Sequence, residues 1–483
     1  VSSLSRGVKV TRWTLLSLTL VLLSSALWIR FRFGPVNLEQ ILLNLPLAGG
    51  EGEGIGGLVV EGVLVGAVAP LAVAAVGILV ASRRGPWQPR HLDRHPLLLP
   101  ILTVVVSVLV FVQTADLPAY VWAAARNSTF AGYYVTPSTA GSPQPLNLIT
   151  IYVESGESSY GDEAVIGENL LADLDRATVG WADDEGLRQY PGGGWTMAGL
   201  VADECAIPLR SRLLADGTSL DTFGQGVSHY LPGATCLGDV LAQRGYTSVF
   251  LGGSPVSFAG KGTFFLDHGY SQVYGLDQWR AAGEDPAEIS PWGLSDHRLF
   301  AHAADVVDRL ASAQQPFHLS ILTLDNHEPA AVYPSCAIGD TEPMRTAIRC
   351  SMRAVAGFID HLRESGALDN TVVVVTGDHL KMDGLGASLG SELHRVADRR
   401  ILFRVWSPRP VRFGRDGADQ LSVLPTTLDL LGLATADGRG GLGVSFVGEH
   451  STSGTALALP DAAYRDVVTA PSTDLYKVFW GVP

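Results

Sequence analysis

Three apolar stretches in the first quarter of the 483-residue chain limit its fold more than any other feature: Trp13 to Trp28, Ile55 to Val80 and Leu97 to Val112. A helix needs about 20 apolar residues to cross a bilayer. A cleaved export signal would account for the first stretch but not for the next two. The second is interrupted by Glu61 and Pro70. A carboxylate inside a span is costly, so Glu61 either faces a neighbouring helix or marks the edge of the span. These stretches explain why hydrophobic residues reach 47% of the chain; the remainder reads as ordinary globular sequence.

Basic residues set the direction. Arg6, Lys9 and Arg12 precede the first stretch, and Arg83, Arg84, Arg90 and Arg94 separate the second from the third. The loop after the first carries Glu39, Glu51 and Glu53, with Arg30 and Arg32 at its start. The positive-inside rule then places the N-terminus and the second loop in the cytoplasm and everything after about Leu117 outside. The expected organisation is a membrane domain over residues 1–117 with three transmembrane helices, a linker over 118–145 and an outer domain over 146–483. Such a chain is a multi-pass membrane protein with its large domain extracytoplasmic. In the linker, Phe130, Tyr133 and Tyr134 are expected at the membrane interface, among the structure-breaking residues Pro137, Ser142, Pro143 and Pro145. A formal net charge of −14 argues against nucleic acid as a partner.

All four cysteines, Cys205, Cys236, Cys336 and Cys350, follow the last apolar stretch. No Cys-x-x-Cys pair is present, so a zinc ribbon is not indicated. In an exported domain, an even number reads as two disulfides with three possible connectivities. Proximity in sequence favours Cys205–Cys236 and Cys336–Cys350.

From Leu146 onward, strand and helix patterns alternate. Strands are expected at Leu146–Val153, Ser248–Leu251, His318–Leu324, Thr371–Thr376 and Ile401–Trp406, and helices at Leu237–Arg244, Leu299–Ser312, Met344–Ser365 and Val423–Leu431. The β-branched run Thr371-Val372-Val373-Val374-Val375 suits a strand covered on both faces. The alternation implies an α/β sandwich with a mostly parallel sheet, whose chemistry sits at the carboxyl ends of the strands.

Those ends carry an unusual set of groups. The first strand ends in Glu154, the third is followed by Asp325-Asn326-His327, and the fourth runs into Gly377-Asp378-His379. A lone strand-end Asp is commonly a helix N-cap, and a lone His is commonly structural. Carboxylates and imidazoles at three convergent ends together indicate a divalent metal site. A hydroxyl to serve beside it is offered by Thr196, in Gly192-Gly193-Gly194-Trp195-Thr196-Met197-Ala198-Gly199. A threonine opening a helix after a glycine-rich turn is either an N-cap or a group held where backbone N–H donors and the positive helix end favour a phosphate. Nearby, Cys205-Ala206-Ile207-Pro208-Leu209-Arg210 imitates the sulfatase signature Cys-x-Pro-x-Arg, but one extra residue separates Cys from Pro.

Taken together, the motifs resemble those of the bacterial phosphoglycerol transferase I family, which acts on periplasmic glucans, and more distantly lipoteichoic acid synthase. The matching stretches are Ile151-Tyr152-Val153-Glu154-Ser155, Thr196-Met197-Ala198-Gly199-Leu200-Val201-Ala202 continuing through Cys205-Ala206-Ile207-Pro208-Leu209, and Cys236-Leu237-Gly238-Asp239. They continue with Phe258-Ala259-Gly260-Lys261, Trp292-Gly293-Leu294 with Asp296, and Gly377-Asp378-His379-Leu380. The resemblance implies an α/β/α domain of the alkaline phosphatase/sulfatase type. It implies one bound Mn2+ or Mg2+ held by Glu154, Thr196, Asp378 and His379. Thr196 is then the nucleophile, Lys261 the cation that holds the substrate phosphate, and His327 a group facing the glycerophosphate. All four cysteines have counterparts in the glucan-modifying branch. A His and a Trp that contact substrate in lipoteichoic acid synthase are replaced here by Gly252 and Ala259, so those roles do not carry over. Asp325 and His327 are too close in sequence for the Asp-x-x-x-His of two-metal relatives, and no motif surrounds His394.

The implied reaction is double displacement. Thr196 takes glycerophosphate from phosphatidylglycerol, and a glycan or polyol-phosphate acceptor, or water, receives it. The rival readings are a phosphoethanolamine transferase and a metal-dependent phosphodiesterase or sulfatase-type hydrolase. For the topology, a reporter fused after residue 145 is expected to be active only outside the cytoplasm; activity inside would overturn the assigned orientation.

Overall fold

The computed structural model describes residues 5–34, 36, 60–84, 95–118, 121, 129–141, 144–183, 185–211, 227–336, 342–414, 418–434 and 437–482. Residues 55–59 of the second apolar stretch and the loop charges Glu39, Glu51, Glu53, Arg90 and Arg94 lie outside the described residues.

The first apolar stretch forms α1, Arg6–Phe33. The second forms a helix over Val60–Arg83 that passes through a π-helical stretch, Leu64–Val68, into α2, Ala69–Arg84. Both are long and apolar enough to cross a membrane by length and composition. The third, α3, Leu98–Thr114, is apolar but only 17 residues long.

Pro70 does not break its helix, and the reason is local. Proline supplies no N–H to the preceding turn, and the wider π turn spreads the mismatch. The carbonyls of Val65 and Gly66 accept instead from the hydroxyls of Ser24 (2.6 Å) and Ser25 (3.3 Å) on α1. Glu61 faces α1 as well, accepting from the Trp28 indole at 2.9 Å with Arg32 at 3.9 Å. The pairings descend along one helix as they rise along the other, so the two run antiparallel.

The domain that follows is a three-layer α/β/α sandwich. Its seven strands are β1 Asn147–Val153, β2 Ala182–Asp183, β3 Thr247–Gly252, β4 Tyr270–Tyr274, β5 Phe317–Leu322, β6 Thr371–Gly377 and β7 Phe403–Trp406. They lie in the order β2-β7-β6-β1-β5-β3-β4. All neighbours are parallel except β7 against β6 and β2 against β7. The helices used below are α4 Thr196–Cys205, α5 Leu237–Ala242, α6 Lys261–Asp267, α7 Asp296–Ser312, α8 Pro343–Glu364, α9 Val423–Leu430 and α10 Thr473–Phe479.

Alternation along β1 sorts the layers. Ile149, Ile151 and Val153 pack with residues of α7 and α8 on one face. Leu148 packs with residues of α5 and α9, and Tyr152 with residues of α4, on the other. All seven residues of β6 are buried, as the Val372–Val375 run requires.

Each strand and helix expected in this domain is present, with ends shifted by a few residues. The β5 strand stops at Leu322 because Thr323 turns its hydroxyl to the backbone N–H of Glu154, 2.8 Å away. The edge strand β4 was not expected, since only Tyr270 in it is fully buried and it shows no apolar face to read. The aromatics of residues 129–141 pack on the core of the globular domain, Phe130 buried and Tyr133 and Tyr134 partly buried. Phe130 is fully buried against Tyr476 of α10, and Val135 pairs with Gly441, so this stretch belongs to the globular domain.

The two disulfides join the cysteines that sequence proximity favoured, Cys205–Cys236 and Cys336–Cys350. The first pins the last residue of α4 to the residue that caps α5. It closes a sequence separation of 31 residues, for which chain entropy implies a contribution of about 3–4 kcal/mol. A Cys205→Ser, Cys236→Ser double variant is expected to lose that amount in denaturant unfolding of the outer domain; unchanged stability would show that the bond constrains nothing.

Candidate functional site

Register brings the strand ends together. Tyr152 of β1 pairs with Leu322 of β5 and Thr376 of β6, Val153 pairs with Gly377, and Gly252 of β3 pairs with Leu322. The next residue of β1 is Glu154 and the next of β6 is Asp378, so the two carboxylates emerge side by side. Gly377 has to be glycine here, since a Cβ would strike the carbonyl of Gly156.

Helix α4 delivers Thr196 to the same place. The turn before it uses Gly192 at φ +106, left-handed backbone that glycine adopts freely. At Gly199 a Cβ would collide with the carbonyl of Asp378, which also accepts from the Gln420 amide at 2.6 Å. The first turn of α4 therefore rests directly on the end of β6. The Thr196 hydroxyl donates to Glu154 Oε2 at 3.2 Å.

Glu154, Asp378 and His379 are buried, and one ligand atom from each lies within 4.8 Å of the others. His379 Nε2 is 3.5 Å from Glu154 Oε1 and 3.6 Å from Asp378 Oδ2. The ring's Nδ1 donates to the Leu380 carbonyl at 2.8 Å, which directs Nε2 at the carboxylates. Asp378 Oδ1 accepts from the backbone N–H groups of Ser155 and His379, both at 2.8 Å. Its Oδ2 is buried with no hydrogen-bond partner. An orphaned buried carboxylate oxygen beside a second carboxylate and an imidazole fits a divalent cation.

The electrostatics agree. Burial, and then the neighbouring Glu154, push the Asp378 carboxyl up to about 7. Burial alone would lower His379, but Asp378 and Glu154 outweigh it and raise the imidazole to about 9. Burial alone would raise Glu154; the hydrogen bond from His379 and the charges of His327 and His379 hold it well below the usual carboxylate range instead.

Lys261, the first residue of α6, is buried and donates to Ser254 Oγ at 2.6 Å. Burial lowers its ammonium to about 8, against the opposing pull of Glu154 and Asp378. His327 packs on Trp292 with ring centroids 4.0 Å apart and donates from Nδ1 to the Glu328 carbonyl at 2.9 Å. Burial lowers its pKa, so Nε2 carries a lone pair at neutral pH. Asp325 does not join the cluster; its Oδ1 accepts from the N–H of Asp296, 3.1 Å away at the start of α7. His394 pairs instead with Asp383 at 3.8 Å. Among the described residues the other grouping with metal-ligand chemistry is Cys205, Cys236 and His268, and its two sulfurs are spent in a disulfide.

Several further residues support these groups. Asp296 accepts from the N–H of Leu324 at 2.7 Å and from Ser351 at 2.6 Å, which fixes the turn leading to His327. A buried ion pair, Lys381–Glu328 at 3.0 Å, joins the loop after His379 to the loop after His327. Beneath the sheet end, Glu204 accepts from Tyr152 (2.7 Å) and Tyr270 (2.9 Å), and burial raises it to about 7. Asp296 was visible as part of a motif; the others follow from packing.

Known proteins are similar to this chain at several depths. A family model described as Sulfatase matches residues 216–399, which include Lys261, His327, Asp378 and His379. A solved protein of the alkaline phosphatase superfamily from Vibrio parahaemolyticus superposes with TM-score 0.50 at 21% identity, covering 67% of this chain and 76% of that one. Lipoteichoic acid synthase LtaP from Listeria monocytogenes superposes with TM-score 0.51 at 15% identity, covering 71% and 96%. The fold is that of the alkaline phosphatase superfamily. Curated relatives named phosphoglycerol transferase I bear out the resemblance read from the motifs. The protein of Xanthomonas axonopodis pv. citri is 36% identical over 260 residues, 51% of this chain and 36% of its own length. That of Salmonella choleraesuis is 28% identical over 441 residues, 89% of this chain and 55% of its own length. The chain thus spans about half or less of the relatives it matches.

Metal binding at this cluster has to displace protons from Asp378 and His379. Affinity for a divalent cation is therefore expected to rise with pH across the window from about 7 to about 9 set by those two groups, and to fall below it. Calorimetric titration at several pH values measures this, and an affinity independent of pH would remove the proton-linked assignment. The Asp378→Ala, His379→Ala double variant is expected to bind no stoichiometric divalent metal.

Proposed function

We propose that the chain is a membrane-anchored phosphoglycerol transferase. In this reading it moves glycerophosphate from phosphatidylglycerol to an extracytoplasmic glycan or polyol-phosphate acceptor through Thr196. The observation that carries it is the Thr196 hydroxyl, set at the start of α4 and 3.2 Å from Glu154 in a buried three-ligand cluster. Sequence similarity to proteins named phosphoglycerol transferase I supports the choice of head group. Residues 1–117 are read as the membrane domain of a multi-pass inner-membrane protein, with 146–483 outside beside the donor lipid.

Glu154, Thr196, Asp378 and His379 would hold one Mn2+ or Mg2+. Such an ion, when bound, favours the ionised threonine and offsets charge on the phosphoryl oxygens. Glu154 Oε2 takes the Thr196 hydroxyl hydrogen bond and so orients the oxygen for attack. Thr196 Oγ1 bonds to phosphorus as the bond to the diacylglycerol oxygen breaks. The proton lost by the Thr196 hydroxyl ends on the diacylglycerol oxygen, so diacylglycerol leaves as the alcohol and glycerophosphate stays on the threonine. Lys261 and the first turn of α4 supply positive charge to the phosphate. In the second half, the acceptor hydroxyl gives up its proton as its oxygen displaces Thr196. His327 offers the lone pair of Nε2 for that proton, since its Nδ1–H is engaged by Glu328 and burial keeps it neutral. That tautomer makes it a better base toward the acceptor than an acid toward the departing oxygen.

The Thr196→Ala variant is expected to fold and to lose turnover by several orders of magnitude, whereas Thr196→Ser retains part of it. A rapidly quenched reaction with labelled phosphatidylglycerol should leave glycerophosphate on the peptide that contains Trp195 and Thr196. A fully active Thr196→Ala protein would end the covalent proposal.

A further inference from the structure

The loop that follows the Asp378-His379 pair is held by the outer end of α1. The Gly386 N–H donates to the Phe31 carbonyl at 2.8 Å, and the Arg32 guanidinium donates to the Gly386 carbonyl. Three glycines permit this approach. A Cβ at Gly34 would strike the Asp383 carboxylate, one at Gly384 the Phe31 carbonyl, and one at Gly386 the Phe31 ring. On its other side the loop is tied to the site, through the Lys381–Glu328 pair at 3.0 Å and the Ser388 N–H to Glu328 at 2.8 Å. Between the two glycines, Leu385 is 59% exposed, and Phe31 beside it is 55% exposed.

The depth of this joint follows from helix length. The 28 residues of α1 span about 42 Å, more than the ~30 Å of a hydrocarbon core. With the Trp13–Trp28 stretch in the core, Arg30 to Phe33 stand at head-group level, where aromatic and basic side chains are favoured. The loop bonded to Phe31 and Arg32 then stands at the same level.

We propose that the Asp383–Ala387 loop is a membrane-contact element: Leu385 enters the outer surface of the bilayer beside α1. This holds the catalytic strand ends against lipid head groups, so that a donor lipid is engaged in place rather than extracted. The occupant is the bilayer itself because the loop is continuous, through paired backbone, with a helix of membrane-spanning length. The inference rests on the membrane anchoring proposed above.

All four cysteines are in disulfides, so an introduced cysteine is the sole free thiol. Full-length Leu385→Cys, Val73→Cys and Val179→Cys variants, each carrying one environment-sensitive fluorophore, are reconstituted in nanodiscs with spin-labelled lipids. Val73 on α2 reports the anchor, and Val179, 80% exposed on the outer domain, reports solvent. The inference expects strong quenching at position 73 by acyl-chain labels and at 385 by head-group labels, with neither at 179. Quenching at 73 with 385 behaving like 179 overturns the inference and leaves the anchor intact. No quenching at 73 overturns both. Quenching of the 385 probe that depends on protein concentration would assign the patch to a second copy and overturn the lipid assignment. As a functional arm, Leu385→Asp is expected to raise KM for vesicle phosphatidylglycerol by about tenfold. Turnover of a soluble glycerophosphodiester should be unchanged; equal losses on both substrates would also overturn the inference.

Discussion

Two carboxylates forced into one buried place organise this domain. Glu154 and Asp378 leave adjacent parallel strands at the same level, out of water, with one oxygen of Asp378 unpartnered. Like charges at such a spot cannot both persist without a cation. The chain places the His379 imidazole against both, 3.5 Å from Glu154 and 3.6 Å from Asp378. A divalent ion held by these residues would meet the same demand with two charges and would leave the imidazole neutral as a ligand.

The surroundings read as devices for holding this arrangement without adding charge to it. Each site histidine donates from Nδ1 to the carbonyl of the residue after it, so both imidazoles are fixed by their own loops. The two loops are then joined by the Lys381–Glu328 pair. A second buried pair, Arg399 with Glu157, also takes in the Lys381 carbonyl. Breaking one member of such a network leaves an uncompensated buried charge, which is far costlier than the pair is stabilising. The geometry of the site is thereby coupled to the stability of the loops behind it.

Much of this was legible in the sequence because strands covered on both faces announce themselves. The Val372–Val375 run marked β6, and the groups just past each strand end marked the cluster. Thr196 could be singled out by its glycine-rich approach, although an N-cap would look the same. What stayed hidden depends on partners far apart in the chain. Nothing near Asp325 shows that it turns toward the start of α7 instead of toward a metal. Nothing in Phe130, Tyr133 and Tyr134 distinguishes an interfacial belt from aromatics packed under α10. The burial of Lys381 and Glu204 is likewise set by tertiary contacts, whereas their residue types alone suggest a solvated surface.

The contact at Gly199 has a consequence for precision. Where side chains meet, rotamer changes can open or close a gap by an ångström at little cost. Here the first turn of α4 meets the end of β6 main chain to main chain, with no intervening atom that can swing aside. The separation between the threonine oxygen and the Asp378 ligand is thus set like the spacing of a machined joint. Any larger residue at 199 would lever the whole helix outward, carrying Thr196 with it, even though every reacting group was still present.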